Sequence, residues 1–235
     1  MVTGANKGIG LEVARCLGDA GLIVLVGARD PKLGEAATAS LKDKAIDARF
    51  VELDVTRHAT VEAAAAMIAR EFQRLDVLVN NAGINMPGDG LPGSADLDAV
   101  RQVIETNFLG ALAVTQAMLP LLRKSSAGRI VNVSSGLGSL AWNADHNWEF
   151  APVKLVGYSA SKAAMNMLTV QLAYELRDTP IKVNASDPGY TATDLNGNRG
   201  YQTVAQGAAE TVRLALLPDD GPTGGFFATS GPDPW

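Results

Sequence analysis

The sequence predicts an α/β fold built on one doubly wound parallel sheet, forming a single domain over residues 1–235. Three observations predict it. Short apolar, β-branched runs alternate with longer Ala- and Leu-rich stretches. The apolar runs do not alternate strictly with polar residues, as expected for parallel strands covered on both faces. No linker, internal repeat or low-complexity tract interrupts the pattern.

In chain order, residues 22–27, 48–54, 75–80, 129–135, 181–187 and 225–229 read as strands. Between them, 9–20, 31–44, 59–74, 97–124, 158–177 and 203–217 show helical spacing, and Pro31 stands where a helix start tolerates proline. Strict βαβ alternation implies that ligands bind beyond the carboxyl ends of the strands. Only Met1–Thr3 occupy the place of the first strand, so we expect either a truncated central strand or residues upstream.

The chain's 235 residues are enough for a sizeable core. Of these, 47% are hydrophobic and 19% charged, the balance of a globular protein. A net charge of −5 argues against a nucleic-acid surface. The apolar runs are too short to span a membrane, and no signal-peptide pattern opens the chain. A cytoplasmic location is therefore expected. Cys16 lies in an amphipathic pattern and reads as buried filler. His58 and His146 lack metal-ligand spacing, so no metal site is expected.

Thr3-Gly4-Ala5-Asn6-Lys7-Gly8-Ile9-Gly10 joins the first strand to the first helix. Glycines there allow a tight turn and close approach of backbone to a pyrophosphate, and the helix start offers free N–H groups and partial positive charge. This is the phosphate turn of a dinucleotide-binding (Rossmann) sheet. The end of the second strand discriminates between the nicotinamide cofactors, because an acid there would accept from the ribose 2′-OH of NAD. The sequence has Ala28-Arg29 instead. Arg29, with Lys7 as a second cation, suits the 2′-phosphate of NADP(H). A shift of one residue would put the acid Asp30 in that place.

With these motifs in order, the sequence resembles the short-chain dehydrogenase/reductase family. It looks most like the carbonyl reductase and menthone reductase group, to which Gly27-Ala28-Arg29-Asp30 and the Pro234-Trp235 end point. The resemblance rests on the TGxxxGxG pattern of Thr3–Gly10, on Asp54 and Val55 of an adenine-contacting segment, and on Asn80-Asn81-Ala82-Gly83. It continues through Asn107, Ser135, the Tyr158-x-x-x-Lys162 pair, and Pro188-Gly189 followed by Thr191 and Thr193. The resemblance implies reduction of a ketone or aldehyde with NADPH, or the reverse. The implied cofactor contacts are Gly4, Asn6, Lys7, Gly8, Ile9, Gly10, Arg29, Asp54, Val55, Asn81, Ala82, Gly83, Tyr158, Lys162, Pro188, Gly189, Thr191 and Thr193.

The chemistry accounts for the remaining residue types. Tyr158 and Lys162 are four apart on a helix and share a face. Tyr158 would give a proton to the substrate oxygen. Bringing its pKa down by roughly three units requires about 4 kcal/mol of preference for the phenolate, which Lys162 and an oxidised nicotinamide ring are expected to supply. Ser135 would hydrogen-bond the substrate oxygen. Asn107 would hold a water that links Lys162 to solvent. Ser134 is the rival for Ser135, although strand alternation favours the second serine.

Residues 136–157, between Ser135 and Tyr158, form an insertion that carries Trp142, Trp148 and Phe150. Anchored at both ends near the active site, it is expected to form one wall of a pocket for a bulky apolar carbonyl compound. A surface loop packing its aromatics on a neighbouring helix is the alternative. A small-molecule substrate and a monomer or homodimer are expected, with no nucleic-acid or membrane partner. Two other functions compete: a silent NADP sensor, which need not retain the Asn–Ser–Tyr–Lys set, and an extended-family epimerase or dehydratase, for whose larger substrate domain the chain has no room.

Overall fold

The computed structural model describes all 235 residues. Its strands are β1 (Val2–Thr3), β2 (Val24–Ala28), β3 (Ala48–Glu52), β4 (Val77–Asn80), β5 (Arg129–Val133), β6 (Lys182–Ser186), β7 (Phe226–Ala228) and β8 (Gly231–Pro232). They form one sheet in the order β3-β2-β1-β4-β5-β6-β7-β8. All neighbours run parallel except β8, which turns back antiparallel on β7. The helices are α1 (Gly8–Asp19), α2 (Pro31–Lys42), α3 (His58–Glu71), α4 (Leu97–Ile104), α5 (Gly110–Leu122), α6 (Leu140–Ala144), α7 (Val156–Glu175) and α8 (Val204–Ala215). No helix is long and apolar enough to cross a membrane.

Alternation along the strands assigns side chains to two cores. Val24, Val26, Val77, Val79, Val131 and Val133 pack with α1, α2 and α8, whereas Leu25, Leu78, Ile130 and Val183 pack with α3, α5 and α7. Both faces are thereby removed from water, at roughly 1.5–3 kcal/mol of driving force per large side chain. The first strand is as short as expected and lies at the centre. Val2 pairs with Val26 on one side and Val79 on the other. Met1 extends the ladder, its carbonyl accepting from Val79 N at 2.9 Å and its amino group donating to Val77 O at 2.7 Å.

Three details differ from the sequence reading. The stretch 97–124 is not one helix, because a wide π turn at Glu105–Leu109 separates α4 from α5. Such a turn inserts an extra residue per hydrogen-bonded ring and re-aims its side chains. Cys16 is only half-buried, close to Glu12 and Arg15, and burial pushes its thiol pKa up, away from thiolate reactivity. The strand over 225–229 is half of a hairpin whose other half, β8, holds a proline. Proline is compatible with that place because β8 is the edge strand.

Arg129 fastens the far end of the fold. Its guanidinium is buried, donates to the carbonyls of Gly128, Pro180 and Leu217, and pairs with Asp219 at 2.9 Å. Replacing it by leucine strips those carbonyls of their donors. Arg129→Leu should lower unfolding free energy by about 2–4 kcal/mol in chemical denaturation. A loss below about 0.5 kcal/mol would show that water replaces the arginine without cost.

Candidate active site

The sheet order reverses direction between β1 and β4, so the loops leaving these strands diverge and open a crevice. They are clasped at its floor. Thr3 Oγ1 accepts from the backbone N–H groups of both Asn81 and Ala82 at 2.9 Å. Asn81 Nδ2 donates in return to Thr3 O and Gly4 O at 2.9 and 3.2 Å. Asn81 thus shapes the turn with its side chain. Thr3 was read only as the start of a motif.

Within the turn, Gly4 and Gly8 have φ of +62° and +56°, a region that side-chain-bearing residues avoid. Gly10 abuts Gly4 O and the Asn81 amide, leaving no room for a Cβ. Asn6 and Ile9 are half-buried beside it. The first turn of α1 has no side-chain cap and no acidic residue, so its N–H groups stay free for an anion. This cradle fits a pyrophosphate.

Strand β2 ends at Ala28, which is buried, and Arg29 follows exposed, with no ion pair to any acid. Asp30 is occupied elsewhere, as the N-cap of α2 accepting from Leu33 N at 3.1 Å. The one-residue shift is thereby removed. The Lys7 ammonium pairs with Asp194 at 2.7 Å. Asp54 accepts from the amide and hydroxyl of Thr56, and Val55 is buried.

On the opposite side, Pro188 and Gly189 follow β6. Thr191 is buried, bonds Pro188 O, and bridges to Gln202. Thr193 caps a 3₁₀ turn at Asp194–Asn196 and lies across the crevice from Gly8.

Ser135, Tyr158 and Lys162 come together at the carboxyl end of β5. Lys162 is 4% exposed, and its ammonium donates to Val133 O at 2.7 Å and lies 5.6 Å from the centroid of the Tyr158 ring. Burial lowers its pKa to about 8, against the opposing pull of Asp187. Without cofactor, Tyr158 is shifted upward. Shielding of its hydroxyl from water, followed by the nearby Asp187 carboxylate, raises its pKa to about 12, outweighing a hydrogen bond with Ser135. In the protein without cofactor, the phenol therefore holds its proton firmly. Ser134 is fully engaged, donating to Asn166 Oδ1 at 2.5 Å, whereas Ser135 faces Tyr158.

Asn107 sits in the π turn, completely buried. Its Oδ1 accepts from Ile84 N at 2.8 Å, and its Nδ2 donates to Ile84 O and Ser161 Oγ, both at 3.0 Å. The side chain is thus committed to pinning the loop after β4 to α7. A carbon on Gly83 would lie 3.5 Å from Asn107 Oδ1 and 3.7 Å from Lys162 Nζ, so this loop borders both. Neither Asp187 nor Asp233 was singled out from the sequence. An acid ahead of Pro-Gly looks like an ordinary turn former, which is why no signal marked it.

The insertion folds as a 3₁₀ turn, Gly136–Gly138, then α6 and a loop. Its aromatics form a continuous ladder. Trp142 stacks on Trp148 with centroids 5.9 Å apart, Trp148 meets Phe150 edge-on at 5.4 Å, Phe150 meets Tyr190 at 5.7 Å, and Tyr190 meets Tyr201 at 5.8 Å. Trp148 also lies over Gly136, next to Ser135.

A dinucleotide cradle facing a half-buried tyrosine and a buried lysine defines an oxidoreductase. A family model described as short chain dehydrogenase matches residues 1–203, and the chain belongs to that family. It is 33% identical to a (+)-neomenthol dehydrogenase of Capsicum annuum, over 97% of this chain and 94% of that one. Among solved structures, salutaridine reductase from Papaver somniferum matches at TM-score 0.84 and 30% identity, covering 97% of this chain and 98% of that one. An NADPH-bound carbonyl reductase from chicken fatty liver matches at TM-score 0.85 and 30% identity, covering 100% and 97%.

Proposed function

We propose that the protein reduces a ketone or aldehyde to an alcohol with NADPH, Tyr158 giving the proton to the oxygen. The observation that carries this reading is the Tyr158 hydroxyl beside Ser135, with the buried Lys162 ammonium on the same helix face, 5.6 Å from the Tyr158 ring centroid. When bound, the nicotinamide supplies the hydride. Ser135 donates to the substrate oxygen and Tyr158 transfers its proton there as negative charge develops. One Lys162 hydrogen is spent on Val133 O, leaving two for the crevice side, where they hold a ribose hydroxyl and favour the phenolate after transfer. Asn107 acts through its grip on Ile84 and Ser161, which keeps the walls of the site in register.

A tyrosine raised to about 12 keeps its proton near neutrality, so transfer relies on the negative charge developing on the substrate oxygen and on the Lys162 ammonium to stabilise the phenolate. Tyr158→Phe keeps the ring packing and removes the proton. It should lower kcat by about 10²–10⁴-fold while leaving NADPH affinity, followed by fluorescence titration, within twofold. Near-normal turnover would refute the assignment.

For the cofactor, the turn Gly4–Gly10 and the free start of α1 take the pyrophosphate, and Arg29 takes the 2′-phosphate. Lys7 joins it. Its bond to Asp194 is more than half exposed on both sides, and such exposed pairs contribute at most about 1 kcal/mol, so a phosphate dianion displaces the carboxylate. Arg29→Asp should weaken NADPH binding about 10- to 100-fold and narrow the gap to NADH, measured as the ratio of Kd values. An unchanged ratio would overturn the role given to Arg29.

The aromatic ladder forms the wall of the substrate pocket and selects a bulky apolar carbonyl compound. Its second member, Trp148, is packed against Trp142 and Phe150 and lies over Gly136, next to Ser135. Trp148→Ala should raise KM for a bicyclic ketone roughly tenfold, the ~1.4 kcal/mol of a lost aromatic contact, without a matching change for a three-carbon ketone. Equal effects on both ketones would mean that the ladder only supports the loop.

A further inference from the structure

We propose that Asp187 and Asp233 form a carboxyl pair sharing one proton, which fastens the tail after β8 beneath the active site and makes carbonyl reduction faster with the proton present than without it. The pair consists of positioning residues, acting through Tyr158 and Lys162, and the proposal extends the reductase reading above.

The backbone brings the two acids together. Asp187 N donates to Phe227 O at 2.7 Å from the β6 side and Asp233 N donates to Phe226 O at 2.9 Å from the β8 side, so the two acids flank the same short strand, β7. Asp187 Oδ1 accepts from Gly189 N at 2.8 Å, and its Oδ2 lies against Gly136, 3.0 Å from where a Cβ there would stand. One side chain thus ties the loop after Ser135 to the loop after β6, the two segments on either side of the reacting position. The Asp233 carboxyl is near enough for each acid to shift the other's pKa. The tail is held twice more, by Trp235 stacked on Phe226 at 5.6 Å and by Ala141 N donating to Trp235 O at 3.0 Å.

Asp233 Oδ2 is buried, and no donor in the protein reaches it. A full carboxylate there would be an unpartnered buried anion beside a second one, which costs several kcal/mol. A single proton held between the carboxyls removes that conflict and turns a repulsion into a hydrogen bond. Burial first, then the partner's charge, raises the Asp233 pKa to about 6, and burial raises Asp187 as well.

The surrounding charges give the pair its consequence. From α7, the Lys162 ammonium attracts the Asp187 charge, and the Tyr158 phenol is kept protonated by it. From α8, Glu210 faces Asp233, itself bonded to Arg213 at 2.6 Å. Before α8, Tyr201 also feels Asp187. With one proton in place the pair carries a single negative charge, balanced by Lys162. As pH rises through the pair's last ionisation, a second negative charge appears where the substrate oxygen must itself become negative, and the hydrogen bond closing the brace is lost. Both effects oppose reduction.

The test uses the full chain saturated with cofactor, between pH 5 and 8. Infrared spectra of the NADP⁺ complex report the protonated-carboxyl stretch, and kcat for reduction of one ketone is measured with NADPH over the same range. The unmodified protein should show a carboxyl band that disappears near pH 6, with kcat falling across the same midpoint. Asp233→Asn keeps a donor toward Asp187 but cannot titrate, so it should lose both the band and the inflection whatever its absolute rate. Asp187→Asn, expected to behave alike, serves if Asp233→Asn does not fold. Absence of the band at pH 5, or a variant profile that superimposes on the unmodified one, would overturn the proposal. The infrared readout needs no turnover, so the pair fails separately from the reductase reading, which Tyr158→Phe tests.

Discussion

Everything around the crevice depends on keeping one ammonium group out of water. Lys162 is 4% exposed at the end of β5, and burying a charge is costly unless it is paired and hydrogen-bonded. The structure meets that cost with the Val133 carbonyl, the face of Tyr158 and the nearby negative charge of Asp187. Each partner brings its own element into place. Val133 requires β5 to end there, Tyr158 requires α7 to start beside the crevice, and Asp187 requires β6 to stop at Ser186. The lysine remains charged near neutrality because these partners limit the fall in its pKa to about 8.

The second constraint is the short central strand. With two residues in β1, little ladder is available to hold the phosphate turn. Side chains take over, and Thr3 and Asn81 bond reciprocally across β1 and β4. Buried polar contacts continue outward, with Asn80 Nδ2 donating to Thr115 and Asn132, and Asn132 donating to Thr169. These bonds join α5, β4, β5 and α7 and restrict sliding between the layers that carry Asn107 and Tyr158.

Much of this was legible in the sequence. Strand and helix positions were readable because parallel strands covered on both faces leave continuous apolar runs, and the helices between them keep their own period. The functional side chains were readable by type and spacing: Tyr158 and Lys162 share a helix face by arithmetic alone. What could not be read were contacts between distant residues. The Lys7–Asp194 pair spans 187 positions, and the Asp187–Asp233 pair depends on a hairpin whose second strand is only Gly231–Pro232. The π turn was invisible because apolar spacing runs through 97–124 without a break. The upward shift of Tyr158 without cofactor was invisible because a spacing rule sees the lysine four residues away but neither the burial of the hydroxyl nor the carboxylate arriving from β6.

The alignment to the neomenthol dehydrogenase runs over 297 positions against a chain of 235, so that relative carries segments with no counterpart here. In this chain the Lys7–Asp194 pair spans the crevice. Its consequence is an exchange of counter-ions. An incoming phosphate that takes Lys7 returns a carboxylate to solvent and frees the 3₁₀ turn at Asp194–Asn196 from the opposite rim. With Lys7 in the phosphate-binding role proposed for it, cofactor binding would be coupled to the looseness of the substrate-side rim. Added salt weakens the lysine's hold on both of its competing partners, so ionic strength shifts affinity less than a simple count of phosphate contacts implies.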